Sequence, residues 1–365
     1  MEILRERDEK GYGLKLYFVN ENGKKKIKAS KIEEEGEKRM SAPLTVHIAA
    51  TNKCNMSCEF CYAMDEKFLN QEDLTHEEML DLLQACKDAN VFKISWSGGE
   101  PLIRNRFMEI IQHADELGFS QSVITNGMAI NQKWIDCFKK CSIGLQLSLH
   151  EYNDPVFWKK CEMLSENEID FVIDVVMENK LLGMVDGVVK KSKDVGARVL
   201  KFGPIIPMGK AEGNIRINEY REVLKKLLSE IEENRLSGIQ IVTQFDKPRV
   251  NEMSSRFLTR EDLLCEGGRT LLYIDSNGDA YPCPLFKSYN EYRCGNAKTD
   301  SIKSIWDSVE MRSYLSECSK ADTCSQRKCI CGVACRGLVK AYLGSITEKS
   351  PFCGILSEAR IYEGN

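Results

Sequence analysis

The sequence predicts an α/β protein: an open, partial (β/α)6 barrel, preceded by a small N-terminal β-hairpin and followed by a cysteine-rich unit. Three observations predict it. Between residues 44 and about 235, six short β-branched runs alternate with six amphipathic stretches of helical period. Upstream, an alternating segment folds back at Asn22-Gly23. Downstream, nine of the 16 cysteines crowd between residues 265 and 353. The expected division is 1–43, 44–240 and 241–365.

Residues 14–28 (LKLYFVNENGKKKIK) alternate apolar and polar positions around Asn-Gly, the signature of a two-residue hairpin turn. The Lys24–Lys26 run reads as a solvated strand edge, and residues 31–41 as a charged linker or short helix. Strands are expected at 44–50, 91–97, 120–126, 142–149, 169–177 and 198–205. Helices are expected near 75–89, 105–117, 131–140, 155–166, 182–195 and 218–234, with Asp, Asn or Thr close to several of their starts. Strands separated by amphipathic helices pair in parallel. Six units suit an open TIM-like barrel better than a closed eight-fold one. After residue 240 the helical period breaks down. Residues 269–283 read as a second hairpin with Asn277-Gly278 at its turn.

Composition removes several functional classes. With 42% hydrophobic and 29% charged residues, the chain can bury a core and is not a disordered one. A net charge of −4 gives no electrostatic case for nucleic acid. No run approaches the roughly 20 apolar residues of a membrane span, and the N-terminus lacks the apolar core of a signal peptide. A cytoplasmic location is expected. A reducing cytosol keeps cysteines unpaired, so metal ligation or thiol chemistry is the reading of their number. Cys86, Cys137, Cys141 and Cys161 lie in helical patterns and read as small core hydrophobes.

Cys54-x3-Cys58-x2-Cys61, followed by Tyr62, lies on the loop leaving the first barrel strand. Active sites of βα barrels form on that face. Three thiolates can hold three irons of a cubane and leave the fourth open, since four cysteines are the usual complement. A structural zinc site would need a fourth ligand, and no Cys or His follows within ten residues. Further motifs end successive strands: Ser97-Gly98-Gly99-Glu100-Pro101, Thr125-Asn126-Gly127, Ser148-Leu149-His150 and Pro207-Met208-Gly209-Lys210-Ala211. In this order they resemble the radical S-adenosylmethionine (SAM) superfamily, with His150 in place of the family's acidic residue. The resemblance implies that Cys54, Cys58 and Cys61 hold a [4Fe–4S] cluster. It implies that Tyr62, Ser97, Gly98, Gly99, Glu100, Asn126 and Ser148 surround SAM. The implied chemistry is one-electron cleavage of SAM to a 5′-deoxyadenosyl radical, which abstracts a substrate hydrogen atom.

Cys265-x12-Gly278-x4-Cys283, then Cys331-x3-Cys335 and Cys353, with Gly295-Asn296 and Ile305-Trp306 between, resembles the SPASM extension of that family. This implies two auxiliary [4Fe–4S] clusters, hence three in all. Cys265, Cys283 and Cys335 fall to the first, and Cys331 and Cys353 to the second. The family's Cys-x2-Cys is absent. Of Cys318, Cys324 and Cys329, the first two are expected to complete the second cluster. Cys294 stands as a possible fourth ligand of the first, which otherwise has an open site. Zinc is the alternative, but paired Cys-x2-Cys ligands are missing.

The resemblance implies a radical enzyme that crosslinks, oxidises or epimerises a ribosomally made peptide or protein. The alternatives are radical chemistry on a small molecule, such as a haem precursor or antibiotic sugar, and a metal-stapled interaction protein. A flavodoxin or ferredoxin-like electron donor is implied. Only about 43 residues precede the first barrel strand, too few for the winged-helix recognition domain of many relatives. A separate leader-recognition protein, or the barrel itself, is therefore expected to bind the substrate. The acid–base group is not identified by the sequence; Tyr62, His150 and Cys161 are weak candidates.

Overall fold

The computed structural model describes residues 1–35, 39–65, 71–181, 183–213, 223, 239–243, 265–320, 335–349 and 351. At the N-terminus, β1 (Glu2–Glu9), β2 (Leu14–Glu21) and β3 (Lys24–Lys31) form an antiparallel sheet in that order. The expected hairpin is β2–β3, turned by Asn22 and Gly23, both at positive φ. Strand β1 is an addition that its charge-rich sequence concealed. Its arginines point at the barrel floor, where Arg7 donates to the carbonyls of Ala42 and Asn90, and Arg5 lies over the rings of Phe92 and Phe119.

The barrel strands are β4 (Thr45–Thr51), β5 (Lys93–Gly98), β6 (Ser120–Thr125), β7 (Gly144–Leu149), β8 (Phe171–Met177) and β9 (Val199–Pro204). All pair in parallel with their sequence neighbours. Between them run α1 (His76–Asp88), α2 (Phe107–Glu116), α3 (Gln132–Lys140), α4 (Pro155–Glu166) and α5 (Val185–Asp194). Thr75 and Glu78 form a capping box on α1, while Asn131 and Asp154 cap α3 and α4. The helix expected at 218–234 lies outside the described residues except for Val223. A seventh parallel strand, β10 (Gln240–Thr243), extends the sheet beyond β9 and straddles the expected boundary at 240. Four residues are too few to carry a legible period.

The C-terminal unit continues the same sheet. Strand β11 (Leu271–Ile274) pairs in parallel with β4, and β12 (Asp279–Tyr281) and β13 (Gly295–Asn296) follow as antiparallel neighbours. Helices α6 (Ile302–Trp306), α7 (Val309–Lys320) and α8 (Arg336–Leu343) pack around them. Trp306 donates to the Met40 carbonyl, Leu74 to that of Ser276 and Tyr342 to that of Ile205, tying the unit to the barrel.

Strand alternation sets the character of the two sheet faces. Ile48, Trp96, Val123, Leu147, Ile173 and Phe202 are buried against the helices. The opposite residues, among them His47, Ser97, Ser122, Gln146, Asp174 and Lys201, are half-buried and line the open side. The barrel thus has an apolar jacket and a polar lumen.

Candidate active site

Three loops converge at the C-terminal ends of β4, β5 and β6. Asp73 fixes the start of the first, accepting from Thr51 Oγ1 and from the Asn52 N–H. Cys54, Cys58 and Cys61 follow, all half-buried. Burial and the neighbouring thiols push Cys58 up to about 11, and Cys54 moves the same way, mainly through burial. The three sulfurs therefore share one electrostatic neighbourhood.

Glycines at the end of β5 are required by the protein's own backbone. A Cβ on Gly98 would run into the Thr51 carbonyl, and one on Gly99 into that of Lys53. The Gly99 N–H instead donates to Thr51 O at 2.7 Å, and the Glu100 N–H to Lys53 O at 2.8 Å. At this strand end the close approach is between the two loops. Glu100 is 1% exposed, and its carboxylate accepts three bonds. Thr125 Oγ1 donates at 2.7 Å, the Asn126 N–H at 2.7 Å and the Leu102 N–H at 3.0 Å. Burial nevertheless raises its pKa. Asn126 donates to Asn55 Oδ1 at 2.8 Å, which joins the third loop to the first.

The segment after β9 closes over the cysteine loop. Gly209, at φ +58, sits where a Cβ would lie 2.7–2.8 Å from the carbonyl oxygens of Cys61, Tyr62 and Met64. Lys210 donates from its N–H to Cys61 O and from Nζ to Ser57 Oγ. His150, after β7, brings Nδ1 to 3.5 Å from Cys58 Sγ and stacks on Phe60. Burial lowers its pKa, so the ring facing Cys58 is neutral near pH 7. Tyr62 is pushed up by burial, by Cys61 and Cys283, and by Asp174, which places its phenol between the cysteine loop and the lumen. Cys161 is fully buried in α4, away from the lumen face.

Below these loops the lumen carries groups that the motifs did not flag. Asp174 Oδ2 accepts from Gln146 Nε2 at 2.7 Å and lies 3.3 Å from Lys201 Nζ. His47 Nε2 is 2.5 Å from Ser97 Oγ, and its ring meets Tyr273 edge-on. Their signal was the polar residue at every second strand position. Burial, with Lys93 and Lys201 nearby, lowers the His47 pKa from 6.5 to about 4. Its imidazole is neutral in the folded protein while the unfolded chain takes up a proton. Stability is complete above about pH 6.5 and falls as pH drops toward 4, by on the order of 3 kcal/mol. His47→Gln is expected to flatten this slope in urea unfolding at pH 7 and 4.5; an unchanged slope would assign the acid loss elsewhere.

In the C-terminal unit, Cys265, Cys283, Cys318 and Cys335 come together. Burial raises the Cys283 thiol, and the charges of Cys335, Cys265 and Cys318 raise it further. Cys318, on α7, neighbours Cys265 and Cys283 electrostatically. Among the described cysteines Cys294 stands apart: its thiol donates to the Tyr292 carbonyl, and its charged and hydrogen-bonding neighbours are Ser308 and Glu310. Cys324, Cys329, Cys331 and Cys353 lie outside the described residues. Among the described residues no three His, Cys, Asp or Glu side chains converge at the spacing of a single metal ion. A cubane takes four thiolates, a complement that Cys265, Cys283, Cys318 and Cys335 could supply. Among the described residues no helix is long and apolar enough to cross a membrane.

Comparisons with known proteins agree with this geometry. The radical SAM superfamily profile matches residues 48–188, and that of SPASM, an iron–sulfur cluster-binding domain, matches 265–336. The chain is 22% identical to the PqqA peptide cyclase of Rhizobium meliloti (strain 1021), over 86% of this chain and 88% of that one. It is 21% identical to the AdoMet-dependent heme synthase of Methanosarcina barkeri, over 86% and 97%. Streptococcus suis SuiB, in a crystal structure bound to the precursor peptide SuiA, shares the fold. Its TM-score is 0.67 at 18% identity, over 86% of this chain and 76% of that one. Motif order, strand-end placement and these matches agree: the chain belongs to the radical SAM superfamily and carries a C-terminal SPASM iron–sulfur domain.

Proposed function

We propose that this enzyme uses SAM to modify a ribosomally synthesised peptide or protein, by crosslinking, oxidation or epimerisation. The observation that carries the reading is the convergence of three half-buried thiols and the glycine–Glu100 ridge at the mouth of an open, polar lumen. Similarity to a peptide cyclase supports a peptide substrate. Similarity to a heme synthase is the specific ground for a second reading, a small-molecule substrate.

In this reading residues 44–240 form the catalytic barrel, 241–365 the auxiliary-cluster unit and 1–43 an extension, in a cytoplasmic protein. Cys54, Cys58 and Cys61 would hold the cluster that binds SAM. Tyr62, Ser97, Gly98, Gly99, Asn126 and Ser148 would surround SAM, with Glu100 fixing the ridge beneath it. The bound group supplies one-electron cleavage of the sulfonium C–S bond and a hydrogen-abstracting 5′-deoxyadenosyl radical. The chain's own residues orient the substrate and exclude water. Asp174, on the lumen face beside Lys201, is placed to take the proton that an oxidised substrate releases. A flavodoxin or ferredoxin-like donor would reduce the cluster, and a separate protein could deliver the leader.

Anaerobic reconstitution tests the reading. About 12 irons per chain and SAM-dependent 5′-deoxyadenosine are expected, with a mass change in a short peptide encoded beside the enzyme. About four irons would refute two auxiliary clusters. Turnover of a small metabolite with no peptide product would favour the second reading. Asp174→Asn is expected to lower peptide product by roughly 100-fold while 5′-deoxyadenosine continues to form. Equal loss of both would remove Asp174 from the proton step.

A further inference from the structure

The converging cysteines of the C-terminal unit gather around one buried phenol. Tyr314 is fully buried and lies on α7 four residues before Cys318, so the two side chains share a helix face. Its hydroxyl is 3.6 Å from Cys265 Sγ, and the Cys318 thiol, one helical turn on, lies in its electrostatic neighbourhood. Gly267, two residues after Cys265, lies directly beneath. A Cβ there would sit 3.1 Å from Tyr314 Oη and 3.4 Å from Cys283 Cβ. Cys335 precedes α8, whose Gly337 is pressed against Leu285, two residues beyond Cys283. Cys265, Cys283 and Cys318 thus lie around one hydroxyl, with Cys335 joined to them through Cys265 and Cys283.

Resting on the reading that an auxiliary cluster binds here, we propose that Cys318 is its fourth ligand and that Tyr314 Oη is a hydrogen-bond donor that sets its potential. Four thiolates leave no iron open, so this site passes electrons and does not bind substrate. Cys294 is a core residue, held by its bond to the Tyr292 carbonyl. A phenol donating to a ligand thiolate disperses negative charge. The more negative, reduced form gains more from this, so the potential rises. Tyr314 is a positioning residue: it acts on the cluster ligands and not on substrate.

The test uses the full chain with Cys54, Cys58 and Cys61 changed to Ala, which leaves only auxiliary iron. Each variant is reconstituted anaerobically, and its iron content, low-temperature EPR spectrum and redox titration are measured. Cys318→Ala is expected to lose one cluster's iron or to convert that cluster to a three-iron form. Cys318→Ser, which conserves volume, should change the spectrum in a chain whose circular dichroism is unaltered. Cys294→Ala should leave iron and spectrum unchanged. Tyr314→Phe should keep its iron and titrate at a lower potential. Parental iron and spectra in both Cys318 variants, or loss of a cluster in Cys294→Ala, would overturn the ligand assignment. An unmoved potential in Tyr314→Phe would overturn the role of the phenol. A parent without iron would overturn the cluster reading itself, and the assignment with it.

Discussion

Cys58→Ala is expected to abolish 5′-deoxyadenosine formation and to remove about four irons per chain, while the barrel stays folded. The central thiol of the motif is the informative one to remove. It lies between the charges of Cys54 and Cys61 and 3.5 Å from His150 Nδ1. Its pKa near 11 means that the metal-free loop keeps this thiol protonated. Three neighbouring thiolates become favourable only when a cationic metal core offsets their repulsion and desolvation. With one thiol gone, two remain, too few to hold a cubane with one open iron. The fold should tolerate this, because the loop is anchored elsewhere: by Asp73 at its start, by the glycine ridge, and by Lys210 at its end. Cys86→Ala is the control. Cys86 is fully buried in α1, so its loss should lower stability by roughly 1 kcal/mol and leave iron and cleavage intact. A Cys58→Ala protein that retained both full iron and SAM cleavage would contradict the assignment of the site.

Much of this was legible because a parallel barrel puts function and pattern in separate places. The motifs fall at strand ends, so their order along the chain gives their positions around the barrel mouth. Alternation within each strand separates jacket from lumen, which is how Asp174 and Lys201 could have been flagged. Other features depend on partners distant in sequence. Strand β1 reads as a charged run because its partners are distant: the Arg5 and Arg7 guanidinium groups lie over phenylalanine rings, and Arg7 donates to carbonyls about 35 and 83 residues away. Spacing offers Cys294 as a possible fourth ligand of the first cluster and assigns Cys318 to the second. What separates them is that α7 turns one thiol toward Tyr314, while the loop after Tyr292 turns the other into the core. The need for glycine at the β5 end likewise comes from distant partners, the Thr51 and Lys53 carbonyls that a Cβ would meet.

Glu100→Ala is expected to destabilise the protein by about 3–5 kcal/mol, a large fraction of a domain's stability. The carboxylate is buried and accepts from Thr125 Oγ1, the Asn126 N–H and the Leu102 N–H. Removing it strands donors from two loops in a space too apolar to resolvate them, and each buried unsatisfied group costs about 1–3 kcal/mol. The Thr125 hydroxyl also accepts from the Gly127 N–H, so its displacement would propagate through the Thr125-Asn126-Gly127 turn. Glu100→Gln should fall between: its carbonyl oxygen replaces one acceptor, but its amide turns N–H groups toward donors. Urea unfolding reads the stability, and equilibrium dialysis of SAM against the reconstituted protein reads the site. A positioning role predicts that stability and SAM affinity decline in step across wild type, Gln and Ala. If Glu100→Ala unfolds like wild type yet no longer binds SAM, the carboxylate contacts the ligand directly. Three of the carboxylate's roughly four acceptor sites are taken at 2.7–3.0 Å, and the remaining one on Oε2 lies in a side chain only 1% exposed, so the geometry favours the first outcome.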